Sequence, residues 1–138
     1  MDPKERDAQA EAIDRLTSAL LLRPEIVFAY LHGSFVDGGR YRDIDVAVYI
    51  DPDKAVVLDG FDYAFEASVD LSRQLRREVD VQVLNGSTTG FQNSVFRTGR
   101  ILFSRDERLR LDILERNSLE AMDFHELSLE YLRECARP

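Results

Sequence analysis

Polar and apolar positions alternate along this chain in two periods, one near four residues and one of two, and the switches between them mark the elements. Residues 3 to 22 carry Ala10, Ile13, Leu16 and Leu20 at helical spacing, with Pro3 suited to a first turn and Arg23-Pro24 ending the run. Ile26 to His32 is almost continuously apolar and reads as a buried strand. In residues 43 to 50, Ile44, Val46, Val48 and Ile50 share one face while Asp43 and Asp45 share the other, and Asp51-Pro52 closes the strand. Phe61, Phe65, Leu71 and Leu75 place a helix over about 60 to 77. Residues 78 to 84 alternate cleanly, with Val79, Val81 and Val83 against Asp80 and Gln82, and Asn85-Gly86 ends them. A short helix over about 90 to 98, a strand over 100 to 103 and a helix-rich tail from Asp106 to about Cys135 complete the pattern.

Strands separated by helices predict an α/β domain. Because two strands alternate polar with apolar, a mixed sheet is expected with helices on one face and a polar, active-site face on the other, plus C-terminal helices. At 138 residues the chain is expected to be a single domain, with a core over about 24 to 104 and a helical tail over about 106 to 136. The tail residues Leu109, Ile113, Leu114, Met122, Phe124, Leu127, Tyr131 and Leu132 are expected to be core more than partner surface.

Charge narrows the function classes. Asp and Glu outnumber Lys and Arg by 26 to 18, a net charge of −8, which argues against general nucleic-acid binding. One cysteine, Cys135, excludes an internal disulfide and a cysteine-based zinc cluster. No apolar run approaches the roughly 18 residues of a membrane span, and Met-Asp-Pro-Lys-Glu-Arg-Asp is too charged for a signal peptide. A cytoplasmic protein is expected.

Chemistry concentrates between residues 31 and 48, where Gly33-Ser34 is followed by Asp43-Ile-Asp45 inside an apolar run. Read singly, the first is an ordinary turn and the second a solvated strand edge. In this order they suit a nucleoside triphosphate and its metals. Gly33 lets the backbone approach a phosphate, Ser34 adds a hydroxyl donor, and the turn that follows offers N–H groups to an anion. Asp43, Asp45 and Asp80 lie on polar faces of two strands and converge if those strands are neighbours. Such a patch suits two Mg²⁺ ions about 3.5–4 Å apart. Arg40 and Arg42 can reach phosphate oxygens. With Arg73, Arg76 and Arg77 they form either a basic patch or a solvated helix face. His32 reads as a satisfied histidine at a strand end, and His125 as a packing or surface residue.

The pattern of apolar residue, Gly33-Ser34, spacer, Asp43-x-Asp45, apolar residue and a distant Asp80 resembles the DNA polymerase β-like nucleotidyltransferase superfamily. The short length resembles its minimal branch (MNT), found beside HEPN-domain partners in toxin–antitoxin modules. The resemblance covers about residues 24 to 104, with Thr98-Gly-Arg-Ile-Leu-Phe103 matching the segment that closes that domain. It implies that Gly33 and Ser34 hold the triphosphate, that Asp43 and Asp45 bind metal, and that Asp80 completes the metal site and helps deprotonate the acceptor. It also implies transfer of AMP from ATP to a tyrosine of a HEPN partner, with this chain as the antitoxin of the pair. Eight residues separate Ser34 from Asp43, a shorter loop than is usual in that branch, which bears on turnover more than on fold. Two alternatives stay open: a small-molecule nucleotidyltransferase completed by homo-oligomerisation, and a non-catalytic nucleotide- or partner-binding module.

Overall fold

The computed structural model describes residues 2–33, 43–55 and 60–136, the side chain of Phe124 excepted. Helix α1 (Pro3–Leu21) starts where the Asp2 carboxylate accepts from the Lys4 amide at 3.0 Å, with Pro3 in the first turn. Strand β1 (Ile26–His32) is followed by β2 (Ile44–Ile50), α2 (Gly60–Leu75) and β3 (Val79–Val83). Then come α3 (Thr89–Thr98), β4 (Arg100–Ser104) and α4 (Glu107–Cys135). Each expected element is present, with ends moved by one or two residues.

The four strands lie in the order β3-β2-β1-β4. β1 is antiparallel to both β2 and β4, while β2 and β3 run parallel, with α2 as the crossover between them. One sheet face carries Ala29, Leu31, Ile44, Val46, Val48, Val79 and Val81, and Leu16, Leu20, Ala67 and Leu71 of α1 and α2 bury it. On the other face Phe28, Tyr30, Ala47, Tyr49 and Leu84 pack against Phe91, Val95, Phe96, Leu109 and Ile113 of α3 and α4. The expected polar face is therefore confined to one end of this second face, because two helices occupy the rest.

Serine hydroxyls of α2 tie the outer strand to the core. Ser72 Oγ accepts from the Val79 amide at 2.9 Å and donates to the Val79 carbonyl at 3.2 Å, and Ser68 Oγ accepts from the Val81 amide at 2.8 Å. Arg105 anchors the far end by donating to the carbonyls of Leu21, Arg23 and Ile26.

The tail departs from its expected role. The first half of α4 is docked: Arg110 donates to the Tyr30 hydroxyl at 2.6 Å, and buried Asn117 donates to the Thr89 carbonyl at 3.3 Å. Beyond Ser118, however, Leu119, Met122, Leu127, Tyr131 and Leu132 are all exposed. Length explains this correction. A helix of 29 residues runs about 44 Å at 1.5 Å per residue, while strands of five to seven residues span only about 17–23 Å. Among the described residues no helix is long and apolar enough to cross a membrane.

Candidate active site

Register assembles the polar end. His32 pairs with Asp45 across the antiparallel β1–β2 ladder, and Asp45 pairs with Asp80 across the parallel β2–β3 ladder. Facing residues in a ladder share a side of the sheet, so His32, Asp45 and Asp80 stand abreast on three adjacent strands. The row behind them is Tyr30, Ala47 and Gln82. A row further back the face is aromatic, with Phe28 stacked on Tyr49 at 5.2 Å. Polarity thus falls along the strands from one end to the other.

Gly33 completes the row's margin. Its φ is +77°, in the left-handed region that glycine occupies without cost. A Cβ there would also lie 2.6 Å from Asp45 Oδ2. Two independent reasons therefore demand glycine, and the second leaves the Asp45 carboxylate accessible.

Electrostatics mark the row as under strain. Burial pushes the Asp45 carboxyl above the ordinary carboxylate range; His32 opposes this, while the charges of Asp80 and Asp43 add to it. Burial lowers the His32 imidazole below its ordinary value, against the pull of Asp45 and Asp80. His32 Nε2 is buried with no hydrogen-bond partner among the described residues, and the ring meets Phe91 edge-on at 5.7 Å. The expectation of a satisfied histidine is thereby corrected: among the described residues, a polar atom at the site lacks a partner. Gln82 Oε1 is also buried and unpartnered among the described residues. The signal for both lay in the alternation, since each follows an apolar neighbour at the polar end of a strand.

Asp43 lies just before β2 and is exposed, as is Asp80. The expected convergence of three carboxylates takes the form of a side-by-side pair, Asp45 and Asp80, with Asp43 contributing charge. Among the described residues no three His, Cys, Asp or Glu side chains gather as a ready-made metal cluster. The donor chemistry nonetheless fits a hard divalent cation, because carboxylate oxygens suit Mg²⁺ and a cation relieves the repulsion that raises Asp45. Ser34, Arg40 and Arg42 lie outside the described residues. Arg73, Arg76 and Arg77 sit where α2 leads into β3, at the same end of the sheet as Asp80.

Comparison with known proteins follows the same outline. Residues 14–108 match the model of the family described as "Polymerase beta, Nucleotidyltransferase". None of the curated proteins matches the chain. Among solved structures, the fold is similar to a chain of the complex between a tri-AMPylated Shewanella oneidensis HEPN toxin and its MNT antitoxin. That match has a TM-score of 0.68 at 20% identity and covers 94% of this chain and 99% of that one. A toxin–antitoxin structure with AMP-PNP matches with a TM-score of 0.68 at 22% identity, over 90% of this chain and 99% of that one. The toxin–antitoxin pair MntA–HepT matches with a TM-score of 0.67 at 18% identity, over 93% and 99%.

Proposed function

The chain belongs to the polymerase β nucleotidyltransferase family, and we propose that it carries out metal-dependent transfer of AMP from ATP to a hydroxyl of a HEPN-type protein partner. The observation that carries this reading is the row of His32, Asp45 and Asp80 set beside a glycine that only a bare backbone can fill. The similar fold in a complex described as holding an AMPylated HEPN toxin supports the acceptor, and the one with AMP-PNP supports the nucleotide.

Gly33, whose bare backbone allows close approach, receives the triphosphate, leaving the α-phosphorus facing the carboxylate row. Asp45, Asp43 and Asp80 would hold a divalent cation, which would supply charge stabilisation for the triphosphate and the leaving pyrophosphate. Asp80, on the outermost strand and exposed, takes the proton of the acceptor hydroxyl. The acceptor oxygen forms a bond to the α-phosphorus as the bond to the bridging oxygen of pyrophosphate breaks. Half-buried Asp45 sits on a strand paired on both sides, so its carboxylate needs little rearrangement during the step.

The test uses α-labelled ATP and Mg²⁺ with the purified protein and the product of the adjacent gene. Label is expected on the partner, and Asp80→Asn is expected to abolish it while retaining ATP binding. Unlabelled partner together with no measurable ATP binding by the wild-type protein would overturn the reading in favour of a module that acts by contact.

A further inference from the structure

Where α4 outruns the sheet, an open groove of about 1180 Å³ lies between its second half and α3. The root of the groove is fixed. The Thr89 hydroxyl donates to Glu120 at 3.1 Å, and buried Asn117 donates to the Thr89 carbonyl. Gly90, Asn93 and Arg97 stand on the α3 wall, and α4 contributes Ser118, Met122, His125 and Leu129. The volume exceeds the roughly 300–1,000 Å³ of a small-molecule pocket. From Ser118 to Leu129 the α4 wall runs about 17 Å at 1.5 Å per residue, or about three helical turns.

Spacing on that wall sets the shape that fits. Ser118, Met122, His125 and Leu129 follow one another at steps of four, three and four, and Leu132 adds a further step of three. This is the heptad seam along which one helix packs on another. Met122, Leu129 and Leu132 are 65%, 39% and 62% exposed, so nothing among the described residues covers it. His125 places one polar group in the seam, which favours a single register.

Charge then selects the helix. Glu120, Asp123, Glu126, Glu130 and Glu134 occupy the second half of α4, against Arg133 on the same helix and Arg97 on the facing wall. Nucleic acid and an anionic membrane surface carry the same sign as this excess and are repelled. A second copy of the chain would set these carboxylates against their own counterparts, and like charges facing across an interface cost affinity. A helix with lysine or arginine beside an apolar stripe satisfies both the seam and its acidic border.

We propose that the groove between α3 and the second half of α4 is a docking site for a basic amphipathic helix, about three turns long, of a partner protein. The site is independent of the transfer reaction and is measured without nucleotide, so either reading can fail alone.

The test titrates the isotopically labelled full chain with a capped peptide made of two repeats of Leu-Lys-Lys-Leu-Leu-Lys-Leu. Its Lys→Glu counterpart and a scrambled peptide of the same composition, which lacks the apolar stripe, serve as comparisons. Amide shifts are expected at Asn93, Met122, His125 and Leu129 with the first peptide alone. Met122→Ser combined with Leu129→Ser is expected to weaken binding about tenfold. Glu126→Gln should weaken it about threefold, a loss that disappears at high salt. These side chains are all exposed, so the substitutions leave the core intact. Equal shifts with the scrambled peptide would reduce the surface to general charge attraction and overturn the proposal. Binding of the acidic peptide, shifts elsewhere or no shifts would also overturn it. So would sedimentation of the protein alone as a dimer that the Met122→Ser, Leu129→Ser variant dissociates, since the occupant would then be a second copy.

Discussion

The two ends of one sheet face make an instructive pair. Both are built from β1, β2 and β3, with the same ladders and the same alternation. At one end Phe28 and Tyr49 stack beneath Phe96 and Ile113, sealed by α3 and α4. At the other, three strands present His32, Asp45 and Asp80 beside a bare glycine. Burial serves stability at the aromatic end and opposes it at the polar end, where it raises the Asp45 pKa and leaves His32 Nε2 unpartnered among the described residues. Stability and chemistry are thus separated along the strands instead of between domains, and mutations at the two ends should fail in different ways.

Removing the aromatic anchor should have the largest effect. Phe28 is fully buried, and Phe28→Ala is expected to cost about 3–5 kcal/mol, read as a lowered urea midpoint. The contrast sharpens with Asp45→Asn, expected to reduce nucleotidyl transfer on the order of 100-fold while leaving the urea midpoint of the metal-free protein unchanged or raised. A marked loss of stability in that variant would break the comparison, since it would make the polar end structural too.

Gly33→Ala probes the boundary between the ends. The left-handed backbone costs about 1–2 kcal/mol for a residue with a Cβ, and the added atom would displace the Asp45 carboxylate. Activity and stability should fall together here, unlike at either pure end. Denaturation and single-turnover transfer on one preparation would separate the two losses.

The smallest effect is in the pH dependence of the metal-free protein. Asp45 has a raised folded pKa, so its contribution is fully present below the ordinary carboxylate value and is lost as pH rises through the raised one. His32 has a lowered folded pKa, so the unfolded chain binds more protons between that value and the ordinary 6.5, and stability climbs with pH across that window. His32→Gln should flatten the climb below pH 6.5, and Asp45→Asn should remove the acid-side fall. Urea midpoints in EDTA across the two windows measure both, and unaltered profiles would mean that the row does not couple to folding.

Periodicity located the described elements, because helical and strand spacing switch cleanly and Pro, Gly or Asn marks most of the boundaries, the α2–β3 and β4–α4 junctions excepted. It also singled out Gly33, Asp45 and Asp80, since a carboxylate on an otherwise apolar strand must meet water, a cation or a ligand. It did not reveal the exposed half of α4. Apolar residues at helical spacing look the same whether or not a sheet lies beneath them, and only the short strands show that Leu127 and Tyr131 outrun their support. Nor did it elevate His32, which acquires meaning from Asp45 facing it across a ladder.

Local sequence therefore dictated the strands, their polar positions and the glycine turn, because side-chain alternation and backbone freedom are properties of neighbouring residues. Which positions face one another, which strand is left at the edge, and which apolar residues find no cover depend on register and strand order. Those are long-range properties, and here they turned separate aspartates into an adjacent pair and left half of α4 bordering an open groove.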